Sequence, residues 1–122
     1  MKNNVSFNST LTKFGMGLFE TIKVTDYPLD LDLHMNRLFN SIKELNLSME
    51  NDKEFYKETI LKYIKENNVK NKALRLTVFD EGYNISLRDI TYNEDTYKKG
   101  FSLCISPIKR GDSIIYLSLI HI

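Results

Sequence analysis

Cysteine, long apolar runs, repeats and an excess of either charge are all scarce in this 122-residue chain, and each shortage removes a class of function. Cys104 is the only cysteine, so no internal disulfide can form and no thiolate cluster can hold a metal. The formal net charge is +1, too small for the long-range field that gathers nucleic acid or an acidic membrane surface. No apolar run approaches the roughly 18 residues needed to span a bilayer. The N-terminal MKNNVSFNST has a lysine but no apolar stretch behind it, so no signal peptide is expected. Metal-ligand spacings, a nucleophile elbow and a P-loop are missing, and His121 stands alone without the partners of a triad. The expectation is a cytoplasmic protein in a reducing compartment, with no metal, no nucleic-acid partner and no membrane partner.

What is present suits one ordinary domain with a real core. Phe19, Thr21 and Lys23 alternate with Glu20, Ile22 and Val24, and the β-branched content favours a strand. Asp26-Tyr27-Pro28 then reads as a turn, with proline fixing φ. Asp32 is the expected N-cap of a helix to about Leu45, with Leu31, Met35, Leu38, Ile42 and Leu45 as its buried stripe. A second helix is predicted from about Asp52 to Asn67, where Asn51 and Glu54 have capping-box spacing. Its core face would be Tyr56, Ile60, Tyr63 and Ile64, with Phe55 beside them. Ala73–Phe79 and Asn84–Ile90 read as a hairpin through Asp80-Glu81-Gly82-Tyr83. Phe101–Ile105, after Gly100 and before Pro107, reads as a further strand, with Cys104 as a small core residue. The fold class is therefore α+β, an antiparallel sheet with two helices on one face.

Arginine is rare, four against 13 lysines, so each arginine is informative. Arg37 follows His34 by three positions, which puts both side chains on one helix face. A guanidinium grips phosphate or carboxylate with two parallel hydrogen bonds, so this pair could hold a dianion. Spacing alone favours the plainer alternative, a solvated arginine beside a partly buried histidine. Gly15 and Gly17 precede a strand instead of opening a helix, so they fail as a dinucleotide fingerprint and fit a bend into the strand. Arg75 and Arg88 fall on the hairpin strands, where they either enter a pocket or pair with surface charge.

Two linked motifs change those odds. Gly15, Gly17, Phe19, Glu20 and Thr21 match G-x-G-x-F-E-T, and Leu31, His34, Arg37 and Leu38 match L-x-x-H-x-x-R-L after a proline turn. Arg75–Val78 (R-L-T-V) and Gly100–Pro107 follow in the expected order. The chain thus resembles the fold-type IV pyridoxal-phosphate enzymes, the class IV aminotransferases and aminodeoxychorismate lyases. The resemblance implies that residues 1–110 are the small N-terminal α+β domain of such an enzyme, acting on an amino acid or on 4-amino-4-deoxychorismate. It implies pyridoxal 5'-phosphate as cofactor, Arg37 as the ligand of its phosphate, and a homodimeric parent. Phe14 and Phe19 would line the substrate side, and Arg75 would meet a substrate carboxylate. Phe14 stands where many relatives have tyrosine, and Met16 where many have aspartate between the glycines.

The resemblance also implies a lysine that bonds covalently to the cofactor and shuttles a proton, because an amine can do both. It is expected downstream of Gly100–Pro107, yet no lysine follows Lys109, which falls too early. No catalytic residue is therefore assigned. Residues 111–116 would begin the linker to a C-terminal cofactor domain. Leu117–Ile122 (LSLIHI) reads as the translation of a common sequencing-library transposon end, which makes 117–122 an expected non-native tail; a native apolar tail is the alternative. The rival functional expectation is a catalytically inactive truncated domain or interaction module.

Overall fold

Alternation along Gly17–Val24 puts Leu18, Glu20, Ile22 and Val24 on one buried face, and this strand, β1, carries the rest of the architecture. In the computed structural model, which describes residues 1–107, β1 follows a short helix α1 (Thr10–Phe14). Helices α2 (Leu31–Glu44) and α3 (Lys53–Glu66) come next, then strands β2 (Lys72–Phe79) and β3 (Gly82–Asp89) and a short helix α4 (Glu94–Lys99). The three strands form one antiparallel sheet in the order β1-β2-β3. Its register pairs Glu20 with Leu76 and Thr21 with Arg75, and β2 continues it by pairing Arg75 with Ser86.

The core lies between one sheet face and the two long helices. Met35, Leu38 and Ile42 from α2 and Tyr56, Ile60 and Ile64 from α3 meet Leu18, Ile22, Val24, Leu74, Leu76, Val78 and Ile85. The α+β expectation with helices on one face of an antiparallel sheet is what is found. Leu31, Leu45 and Tyr63 sit at the margin of the core, and Phe55 is exposed although its ring packs edge-on against Tyr56 and Tyr83.

Helix ends differ from expectation in instructive ways. Asp30, not Asp32, holds the N-cap position of α2, with φ 51° and no side-chain cap bond. Asp32 lies in the first turn and pairs with Lys57 of α3 at 2.7 Å, so its carboxylate serves the interhelical contact. In α3 the cap is Asp52, which accepts from the Phe55 amide at 2.8 Å; Asn51 stands one residue outside. Replacing Asp52 with alanine is expected to cost about 1 kcal/mol in a urea melt, the usual value of an N-cap. Both helices end on asparagines in the left-handed region, Asn46 and Asn68. The next residues, Leu47 and Val69, donate back to the Ile42 and Ile64 carbonyls and return the chain to the core.

The glycines ahead of β1 do separate jobs. Gly15 terminates α1 with φ 65°, and a Cβ on Gly17 would lie 2.8 Å from Leu11 Cδ1. The hairpin turn is shorter than expected, Asp80-Glu81 alone. The N-terminal segment ties onto it: Asp80 accepts from the Ser9 hydroxyl and the Thr10 amide, and Lys2 donates to the Tyr83 carbonyl.

The described residues from Thr91 to Pro107 belong to a second unit, separate from Met1–Ile90. Its helix α4 has a capping box between Asn93 and Thr96, and Tyr92 packs edge-on against Phe101. Phe101–Ile105 is not a strand: no strand pairs with it among the described residues, and a lone extended segment leaves its amides to water. Phe101, Leu103 and Ile105 are exposed, and Cys104 is exposed instead of buried in a core. Lys109, the expected linker 111–116 and the tail 117–122 lie outside the described residues.

Candidate functional site

A carboxylate on the apolar side of a strand must find cationic or donating partners, because burial of an unpaired charge is costly. Glu20 is that carboxylate, 4% exposed between Leu18 and Ile22 on β1. Helix α2 packs against β1, and its i, i+3 pair supplies the partners. His34 Nδ1 lies 2.7 Å from Glu20 Oε2, and Arg37 Nε donates to Oε1 at 2.8 Å. Arg37 Nη2 donates to Oε2, completing a two-bond fork.

Burial pushes the Glu20 carboxyl up, but hydrogen bonds from His34 and Arg37 and the charge of Arg37 outweigh it, and the group lies below the usual carboxylate range. The hydrogen bond to Glu20 in turn raises Arg37, with burial opposing and the carboxylate's charge adding. An ionised Glu20 can only accept, so His34 carries its proton on Nδ1 and presents Nε2 at its other edge. Side-chain exposure climbs from 5% at Glu20 through 21% at His34 to 38% at Arg37, so the cluster runs from core to surface. At the surface it opens into a depression of about 260 Å³ lined by Asp30, Leu33, His34 and Arg37.

Arg37 is thus neither a solvated helix arginine nor a lone anion grip. Its Nε and one terminal nitrogen are committed to Glu20, which fixes the plane of the fork. The missed residue is Glu20, although a signal existed: it alternates with Ile22 and Val24, an acid in an otherwise apolar series.

Phe19 and Arg75 come together elsewhere. They project from the sheet face opposite the helices, with the Arg75 guanidinium carbon 4.5 Å from the centre of the Phe19 ring. Adjacent residues of one strand, Phe19 and Glu20, therefore serve opposite faces. Phe14 closes α1 and is 71% exposed, with no ring contact among the described residues. No helix of the described residues is long and apolar enough to cross a membrane.

Pyridoxal phosphate can be tested against this geometry by its ends. Among the lining residues the Arg37 guanidinium suits a phosphate, and the Asp30 carboxylate opposes one. No lysine is among the described residues that line the depression, and those residues fit the phosphate end of the group and not its covalent attachment.

Comparison with known proteins gives a consistent picture. A search of curated proteins returns no match. Among solved structures, a protein described as a 4-amino-4-deoxychorismate lyase from Legionella pneumophila superposes with a TM-score of 0.59 at 20% identity, over 76% of this chain and 39% of that one. The Escherichia coli branched-chain amino acid aminotransferase gives 0.63 at 20% identity, over 72% and 35%. The branched-chain aminotransferase of the archaeon Thermoproteus uzoniensis, solved with norvaline, gives 0.63 at 20% identity, over 72% and 36%. A further branched-chain aminotransferase was solved with N-(5'-phosphopyridoxyl)-L-glutamate and gives 0.57 at 23% identity, over 64% and 28%. The chain spans between about a quarter and two-fifths of the length of these structures, and the likeness is one of fold. The amino-transferase class IV family model matches residues 17–117, most of the sequence, and the chain belongs to that family.

Proposed function

We propose that this chain is the N-terminal part of a pyridoxal-phosphate-dependent class IV enzyme acting on an amino acid or on 4-amino-4-deoxychorismate, with Arg37 as its phosphate grip. The observation that carries the reading is the Glu20–Arg37 fork, in a chain whose family match covers residues 17–117. Glu20 sets the guanidinium plane in advance, so little freedom is lost when an anion arrives. His34 donates from Nδ1 to Glu20 and so steadies the carboxylate that sets the Arg37 fork. When bound, the cofactor supplies the electron-withdrawing ring that acidifies the substrate carbon bearing the amino group. On the opposite face Phe19 and Arg75 would meet substrate, Arg75 through its carboxylate, and Phe14 would border the substrate without a hydroxyl to donate. Residues 1–110 would form the small domain, residues 111–116 the start of the linker, and the parent would be a cytoplasmic homodimer.

On this reading residues 1–122 hold no lysine that bonds the cofactor, and the 122-residue chain by itself would be catalytically inactive. Incubation with pyridoxal 5'-phosphate and borohydride should then leave no stoichiometric adduct on one lysine. Affinity tests the grip itself. Pyridoxal 5'-phosphate should bind about tenfold tighter than pyridoxal, a preference that Arg37→Gln abolishes. Asp30→Asn keeps a residue tolerant of positive φ and removes the one carboxylate that lines the depression among the described residues, so the preference should grow a few-fold. Equal binding of both compounds, or an Arg37→Gln variant that still discriminates, overturns the assignment. With the full-length gene, assaying amino-acid/keto-acid pairs against the chorismate-derived amine separates transferase from lyase.

A further inference from the structure

A second depression, of about 240 Å³, opens where α2 gives way to the loop before α3. None of its lining residues lines the phosphate depression, and α2 ends at Glu44, about 10 Å along the helix axis beyond Arg37. One wall is apolar: Met16 ahead of β1, with Leu47 and Met49, which pack on the core from the loop. Thioether side chains are flexible and polarisable, so this wall can adapt to an alkyl chain. The other side is polar, with Asp80 of the hairpin turn beside Thr10 and Ser48.

Two features give this site a sign. Asp80 is a carboxylate held in place: one oxygen accepts from the Ser9 hydroxyl at 2.5 Å, the other from the Thr10 amide at 2.8 Å. Those bonds hold its carboxyl below the usual range, so it is ionised at neutral pH. No cation answers that charge. Asp80 makes no ion pair among the described residues, and no basic residue is among those that line the depression. Each of its oxygens keeps a lone pair for a further donor. The second feature is the C-terminal end of α2, which meets the depression at Asn46 and Leu47 and carries partial negative charge. Lys43, the basic residue of that last turn, does not line the depression.

We propose that this depression binds a primary aliphatic amine as its ammonium ion, the nitrogen on Asp80 and a short alkyl chain on Met16, Leu47 and Met49. An anion meets repulsion from both negative features, and a neutral alcohol gains little from either. The Thr10 and Ser48 hydroxyls are acceptors for the remaining N–H groups of the ammonium. The site goes beyond the phosphate grip and does not depend on it.

The test is an NMR titration of the 122-residue chain near neutral pH and at low salt with butylammonium, methylammonium and butanol. Methylammonium keeps the charge without the chain, and butanol keeps the chain without the charge. Butylammonium should move the amides of Thr10, Met16, Asp80 and residues 46–49, and bind about tenfold tighter than either of the others. Asp80→Asn should weaken butylammonium about tenfold, while Glu66→Gln on α3 changes nothing. Asp80 also holds the N-terminal segment, so Met49→Ser serves as a second variant that leaves those bonds alone. It should weaken butylammonium about threefold through the lost apolar wall. Butanol or methylammonium matching butylammonium, full-strength binding by Asp80→Asn or Met49→Ser, or shifts confined to the depression at Asp30 and Arg37 would overturn the proposal.

Discussion

Replacing Arg37 with methionine is expected to lower the unfolding free energy near pH 7 by about 2 kcal/mol, less than the roughly 3–5 kcal/mol of a fully buried pair because Arg37 is partly solvated. The cost comes from Glu20, left almost fully buried with only His34 to hold its charge. The pH dependence identifies the cause. In the native protein the Glu20 carboxyl is depressed, so its contribution is full above the unfolded carboxyl value and is lost as pH falls through the folded one. Without Arg37, burial, the largest influence on this group, pushes the carboxyl back up. The deficit of the variant should therefore be largest near neutrality and shrink as pH falls toward 4. Urea melts of both proteins near pH 7 and near pH 4 measure this. A deficit constant across that range would assign Arg37 a packing role and remove the electrostatic account. Adding Glu20→Leu to Arg37→Met should restore most of the loss, because an apolar pair leaves no stranded charge.

Patterns governed by local periodicity were readable along the chain. The stripe Met35, Leu38, Ile42 and the alternation through Ile22 and Val24 follow from 3.6- and 2-residue repeats, and both appear in the core. Long-range pairing was less readable. Asp32 looked like a cap because it opens the apolar stripe, but Lys57, 25 positions away, claims its carboxylate. The FSLCI segment has strand composition, yet a strand exists only where another backbone accepts its hydrogen bonds. Helix α4 had a legible signal, Asn93 three before Thr96 and Gly100 at the end, without an apolar stripe to draw notice. The site was half legible: spacing put His34 with Arg37, and only the sheet register shows that Glu20 binds them and that Phe19 belongs with Arg75 on the other face.

Tyr56 should be the most sensitive position in the fold. Its ring is 1% exposed and lies 6.1 Å from Phe39 of α2, 5.4 Å from Phe55 of α3 and 5.7 Å from Tyr83 of β3. One side chain thus joins both long helices to the far edge of the sheet. Tyr56→Ala is expected to cost about 4 kcal/mol, the sum of lost apolar transfer and an unfilled cavity. That is a large part of the roughly 5–15 kcal/mol available to a domain. Tyr56→Phe, which keeps the ring and removes only the hydroxyl, should cost about 1 kcal/mol. Denaturant melts distinguish the two if the midpoint moves and the slope stays constant. The consequence reaches the site because α3 packs on α2, and α2 carries His34 and Arg37 to Glu20. Tyr56→Phe should therefore keep the preference for pyridoxal 5'-phosphate over pyridoxal, and Tyr56→Ala should lose it in proportion to the unfolded fraction. A Tyr56→Ala variant destabilised by less than about 1 kcal/mol would mean that the four-ring cluster does not hold the helices to the sheet, and that Arg37 is positioned by its fork with Glu20 alone.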